Sequence, residues 1–273
     1  MLHRLTTLAR TFFLSAFLPA VVLLCAPILL AQTAAPPQPS HSQKVQTAGH
    51  LPDLSGIWAV GTTGRSWDPG DPVGLQPDRL PMTPWAREKL NAARPAFGAK
   101  ETFDNPNDPV ERYCDPPGLT RLYNFPWQFT IVQTPASVYF LFEYFHVWRT
   151  VAMNRPHSKD PDPTWLGDSV GHYESDTLVI DTIGFNDKSW LDQVGHPHSD
   201  VLHTVERLRR LGPEALQLEL TIEDPKAYTK SFTAKRIFKS STAPLGETMC
   251  SVTEQEDFQK KIMDRTVPSA PAK

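Results

Sequence analysis

The sequence predicts a mainly β protein: an antiparallel barrel or sandwich of one domain, preceded by a long irregular arm and carrying one short helix. Three observations carry that reading. Apolar and β-branched residues recur at period two through most of residues 118–252. The runs are separated by short turn segments such as Glu174-Ser175-Asp176 and Gly212-Pro213-Glu214. Proline, at 27 of 273 residues, stands at roughly twice its usual frequency of about 5%, which disfavours long helices because each ring removes a backbone donor. With 40% hydrophobic and 21% charged residues the composition is globular. A net charge of −3 offers none of the clustered basic surface that nucleic acid requires.

Residues 1–31 read as a signal peptide. Arg4 and Arg10 precede a nearly unbroken apolar run over 12–30, and Ala31 supplies a small residue at the expected cleavage point. Pro19 and Pro27 interrupt the run and argue against a permanent anchor. The expectation is therefore an exported protein, periplasmic or secreted, with no stable membrane insertion after cleavage. Residues 32–52 are rich in Pro, Ser, Gln and Ala and predict a flexible tether, since they cannot bury enough apolar surface to offset ordering. Residues 53–255 form the single barrel domain, and 256–273 a disordered tail.

Within the domain, Leu54, Ile57, Trp58 and Val60 mark a first strand over 53–60. The arm comes next, at 61–118. Its helix has Thr83 as cap, Pro84 at the first position and Ala86, Leu90 and Ala93 on one face. Strands at 125–132 and 138–148 form a hairpin across Gln133-Thr134-Pro135-Ala136-Ser137, then 166–173 pairs with 177–183 and 201–211 with 215–222. Leu216, Leu218, Leu220 and Ile222 alternate with polar residues, the pattern of a strand with one wet face. Strands at 232–238 and 247–252 complete the sheet. The strand at 138–148 is apolar on both faces (Phe140, Phe142 and Tyr144; Tyr139, Leu141 and Phe145), so the arm, with Trp67, Trp85 and Phe97, is expected to cover its outer side. Cys114 and Cys250 survive processing. An even count in an oxidising compartment permits one disulfide, with two free buried thiols as the alternative.

Gly56-Ile57-Trp58 is similar to the Gly-x-Trp opening of lipocalin-type (calycin) barrels, in which the tryptophan closes the barrel base. The string Cys114-Asp115-Pro116-Pro117-Gly118, Gln133-Thr134-Pro135, Asp162-Pro163-Thr164-Trp165, Gly184-Phe185-Asn186-Asp187-Lys188, Trp190-Leu191-Asp192 and Gly195-His196-Pro197-His198-Ser199 resembles a family of exported bacterial proteins of unassigned activity. These resemblances imply an exported lipocalin-like barrel and transfer no chemistry.

The 184–200 connection is too long for a hairpin turn and dense in functional groups, so it is the expected lid of a pocket for a small organic molecule. The alternative is a solvated loop that satisfies its own backbone. Asn186, Lys188 and Trp190 from this loop, with Arg149, Arg207 and Glu143 from strands, are the candidate ligand-binding residues. Arg149 or Arg207 against a carboxylate has a second reading as a structural ion pair. For chemistry, His198 and His203 are candidate proton carriers, because imidazole titrates near neutrality, with Asp181 or Asp192 to orient them. An enzyme built this way is a lyase, isomerase or hydrolase. One alternative is a non-catalytic ligand-binding or protein-interaction module. A second is a metalloenzyme whose divalent ion sits on His196, His198 and His203, although their spacing matches no standard zinc signature. His172 reads as an exposed strand residue and His146 as a core histidine. No strand-turn-helix nucleophile elbow and no glycine-rich phosphate loop is present.

Overall fold

Nine strands hydrogen-bond in sequence order and close on themselves in a computed structural model of the chain. The structure describes residues 51–61, 64–93 and 107–253, all within the unit Lys44–Lys273. The expected signal peptide and most of the tether, Phe97 of the arm and the tail at 256–273 lie outside the described residues. The strands are β1 (Gly56–Val60), β2 (Phe129–Gln133), β3 (Ser137–Phe142), β4 (Trp148–Met153), β5 (Asp168–Glu174), β6 (Thr177–Ile183), β7 (His203–Gly212), β8 (Ala215–Glu223) and β9 (Phe232–Ser241). Among the described residues three α-helices accompany them, α1 (Pro84–Ala93), α2 (Pro109–Tyr113) and α3 (Leu119–Leu122), with one 3-10 turn at Pro77–Arg79. The predicted barrel is therefore observed, with α1 as the expected helix: Ala86, Leu90 and Ala93 are its buried residues, and Thr83 Oγ1 accepts from the Ala86 amide.

Two strand boundaries differ from expectation. The aromatic run at 138–148 is broken by a turn at Phe145 and His146, both with positive φ. Beyond the turn the chain enters β4 and folds back against β3, with Leu141 opposite Trp148. This leaves His146 exposed in the turn and not in the core. Residues 247–252 add no strand, and only Thr248 bridges to Tyr144. One pairing also departs from an all-antiparallel sheet, because β4 and β5 run parallel.

The registers sort the connections by end. Tight turns join β2–β3, β5–β6 and β7–β8 at one end. The arm between β1 and β2, the long connection between β6 and β7, and the link between β8 and β9 all leave from the other end, the mouth. At the base Trp58 is fully buried. It donates its indole N–H to Leu54 O and lies beneath the Arg210 guanidinium at 5.0 Å, as the Gly-x-Trp resemblance implies.

The arm does not cover β3. Leu141 is 38% and Trp148 69% exposed on the outer sheet face. The arm instead seals the mouth: Trp67 is fully buried, donates from Nε1 to Thr120 O and carries the Arg236 guanidinium over its ring at 4.3 Å. Cys114, at the left-handed C-cap of α2, is disulfide-bonded to Cys250, joining the arm to the segment after β9.

Side chains fill the barrel axis. Alternating residues of β8 (Leu216, Leu218, Leu220 and Ile222) are all fully buried, which is the predicted inward face. α3 drops Tyr123 into the mouth, edge-on to Phe129 at 5.7 Å and Phe142 at 5.5 Å. Beneath it Arg149 and Glu206 form a buried ion pair. Arg149 Nη1 donates to Glu206 Oε1 at 3.0 Å, Nε to Ser169 Oγ at 2.9 Å and Nη2 to Thr182 Oγ1 at 2.7 Å. Tyr123 donates its hydroxyl to Glu206 Oε1 at 2.8 Å. Burial and the Glu206 charge push the Tyr123 phenol well above its usual range, so it stays a donor. Arg149 is thus spent on a structural ion pair and is not free to bind a ligand.

Candidate functional site

A cleft of about 370 Å³ opens beside the barrel mouth, between α1 and the β6–β7 connection. Trp85, Lys89, Ala92 and Ala93 of α1 form one wall, with Asn107 and Tyr113 at the side; Asp187, Lys188, Ser189, Trp190, Gly195, Pro197 and His198 form the other. The predicted lid therefore does line a cavity. That cavity lies outside the barrel, whose own centre is occupied by the Tyr123, Arg149 and Glu206 network.

The β6–β7 connection folds into a miniature hairpin. Trp190 pairs antiparallel with Pro197, and the Leu191 amide donates to His196 O at 2.8 Å, with Gly195 at φ +92° making the turn, a conformation glycine adopts without steric cost. The same register sets Ser189 opposite His198, and side chains opposite each other project to one face. Ser189 Oγ lies 2.8 Å from His198 Nε2, and His198 Nδ1 lies 3.1 Å from Ser199 O. A carbonyl only accepts, so Nδ1 carries the proton and Nε2 is left to accept from the serine hydroxyl. Burial pulls the His198 pKa below its ordinary value, outweighing the smaller opposing effects of Ser199 O, Asp224 and Asp187, and the imidazole is neutral at neutral pH. Phe185 packs edge-on against it at 6.3 Å. On the other side Gly118, at φ +80°, leaves room for the serine: a Cβ there falls 2.3 Å from Ser189 Oγ. A serine whose hydroxyl donates to a neutral, backbone-oriented imidazole in a cleft wall is an activated-nucleophile arrangement.

Ser189 is not among the residues that sequence reasoning singles out. The signal that locates it is the mutual register of 189–192 and 195–198 around Gly195, legible only once those residues are read as a hairpin.

The remaining candidates are dispersed. Lys188 and Trp190 line the cleft, and Arg121 stands over the Trp190 ring at 5.2 Å while paired with buried Asp108. Asn186 turns its Oδ1 to the Lys188 amide, which shapes the loop. Arg207 pairs with Glu174 on the surface. Glu143 accepts from Gln128, at the turn between β3 and β4.

Asp192 orients neither His198 nor His203. It is fully buried against His196, with Oδ2 at 2.7 Å from Nδ1, and it accepts from the Trp67 and Val194 amides. His196 Nε2 meets Pro77 O at 2.8 Å. Both partners accept, so both ring nitrogens donate and the ring is an imidazolium. Burial, the largest influence, disfavours that charge, but Asp192 and the Pro77 carbonyl outweigh it and raise the His196 pKa. This pair ties the arm to the loop.

His203 and Asp181 lie outside the cleft. Asp181 is held between His203 Nε2 at 2.8 Å and His157 Nε2 at 2.7 Å, half-exposed on the barrel wall. His203 also meets Glu223, and His157 meets Asp168. The expected metal triad is not assembled: His196, His198 and His203 each spend their ring nitrogens on different partners. Among the described residues no cluster of three His, Cys, Asp or Glu side chains is placed to hold a metal ion. His172 is exposed beside Glu174, as predicted.

No family model matches the chain, and no curated protein does. Among solved structures, the chain is similar to one titled "REP1-NXSQ fatty acid transporter", at 11% identity and a TM-score of 0.34 over 70% of this chain and 98% of that one. A likeness that slight carries no ligand or activity across to this barrel.

Proposed function

We propose that the protein is an exported serine hydrolase that binds a small organic ester in the cleft beside the barrel mouth and cleaves it through Ser189 and His198. The charged leader ahead of the apolar run at 12–30 supports export, and the Cys114–Cys250 disulfide suits an oxidising compartment. The observation that carries the chemistry is the 2.8 Å contact from Ser189 Oγ to His198 Nε2 in the cleft wall.

Ser189 Oγ attacks the ester carbonyl while His198 Nε2 takes its proton. The C–O bond to the alcohol breaks, and His198 returns the proton to the leaving oxygen. Water, deprotonated by the same nitrogen, then cleaves the acyl-serine and restores the hydroxyl. The Ser199 carbonyl holds the ring in the tautomer this requires and accepts from Nδ1–H as the imidazolium forms.

Steady-state hydrolysis of 4-nitrophenyl acetate tests it, with a fluorophosphonate probe and peptide mass mapping to locate the nucleophile. Ser189→Ala abolishes turnover and labelling, and His198→Gln lowers kcat by roughly 10²–10⁴, while His203→Ala changes kcat less than about twofold. Labelling elsewhere, or full activity in Ser189→Ala, refutes the reading. Ligand binding in the cleft without turnover by the wild type returns the protein to a non-catalytic binding module.

A further inference from the structure

The described lining of the cleft has a charge balance opposite to that of the whole chain. The chain carries 27 Lys and Arg against 30 Asp and Glu, yet among the described residues the ionised side chains lining the cleft are Lys89, Lys188 and Asp187, with His198 neutral. Neither lysine forms an ion pair among the described residues. Lys89 stands 5.8 Å from the centre of the Trp85 ring, and Lys226, 5.3 Å from the same centre, is paired with Asp200. The remaining lining is largely aromatic: Trp85, Tyr113 and Trp190. At about 370 Å³ the space is near the small end of ligand sites, enough for an arene with a short substituent.

We infer that the substrate is a small anionic aryl compound, its ring placed among Trp85, Tyr113 and Trp190 and its carboxylate met by Lys89 and Lys188, with Asp187 turning away dianions. This deepens the hydrolase reading and rests on it for the bond cleaved. The recognition itself does not depend on catalysis. Planar rings stack well on tryptophan faces. An exposed lysine against a carboxylate changes affinity only severalfold, so two lysines confer a preference and leave aromatic contact as the main attraction.

Benzoate and benzamide, alike in shape and different in charge, separate the two contributions. Their binding to the full exported chain is measured by calorimetry and by quenching of tryptophan fluorescence. Benzoate binds about five- to tenfold more tightly than benzamide at low salt, and the gap narrows at high salt as screening shortens the reach of the lysines. Lys89→Met and Lys188→Met each reduce the benzoate preference about two- to fivefold and leave benzamide unchanged, whereas Asp187→Asn increases it. Equal binding of the two compounds, a preference that survives both lysine substitutions, or no binding of either overturns the inference. A protein that prefers benzoate through these lysines but cleaves no ester sinks the hydrolase reading and leaves the anion site standing. Ester cleavage through Ser189 with no anion preference does the reverse.

Discussion

Removing the Glu206 carboxylate while leaving Arg149 in place strands a guanidinium inside the barrel. Arg149 is 2% exposed and Glu206 fully buried. The two are joined by parallel hydrogen bonds, so Glu206→Ala takes away the counter-charge and opens no path for water. Breaking one partner of such a pair costs about 3–5 kcal/mol. In a domain of this size each kcal/mol moves the melting temperature by roughly 2–4 °C, which predicts a fall of roughly 6–20 °C for Glu206→Ala by circular dichroism. The charge-free combination Arg149→Met with Glu206→Leu still leaves the Tyr123 hydroxyl without its acceptor, while Ser169 and Thr182 retain each other at 3.1 Å. Adding Tyr123→Phe removes that last orphan, and the triple variant recovers most of the loss, because apolar replacement of a buried pair is often neutral or stabilising. A Glu206→Ala melt within about 2 °C of wild type, smaller than a single kcal/mol would produce, or a triple variant no better than the single, refutes the view that this network is a dry structural plug.

The same geometry predicts four further outcomes. The His196 pKa is raised and the Asp192 pKa lowered. Their pair therefore contributes fully between the ordinary carboxylate value near 3.8 and the ordinary imidazole value near 6.5. That contribution fades as pH rises through the folded His196 pKa or falls through that of Asp192, so the urea midpoint declines on both sides and His196→Gln flattens the alkaline decline. His198 has the opposite shift, so the acid limb of kcat/KM falls below pH 6.5. Cys114 and Cys250 are 136 residues apart, a closure worth about 5 kcal/mol, and Cys250→Ser lowers the unfolding free energy by about that amount in urea titration. Gly118→Ala forces φ +80° on a residue with a Cβ that meets Ser189 Oγ. It costs about 1–3 kcal/mol of stability and about 10²-fold in hydrolysis through the displaced nucleophile.

Local pattern reveals most of the sheet. The alternation over Leu216 to Ile222, the Thr83-Pro84 start of α1 and the polar density of 184–200 each have a short-range physical cause that survives in a sequence. The turn at Phe145 and His146 does not, because both adopt positive φ without the glycine or asparagine that normally announces it, and the aromatic run hides the reversal. The site is half legible. His198 and the loop stand out by composition, but a serine gains its meaning from the partner it is brought to. That partner lies nine positions along a hairpin whose only turn signal is Gly195. The histidines, close in sequence, do not act as a group: His196 is spoken for by Asp192 and Pro77, and His203 by a strand neighbour, Asp181, that no spacing rule ties to it.

The parallel contact between β4 and β5 has a cause in parity. Hairpins reverse direction at every step, so a ring with an odd number of strands always meets itself once in the same sense. Here that seam falls where Val151, Ala152 and Met153 face Ser169, Val170 and Gly171. The chain must travel the height of the wall between them, through residues 154–167, before it can run the same way again. His157 and Thr164 on that return path are fastened to Asp181 and Asn186. The segment that mends the ring is thereby stitched to the strand and loop leading into Ser189.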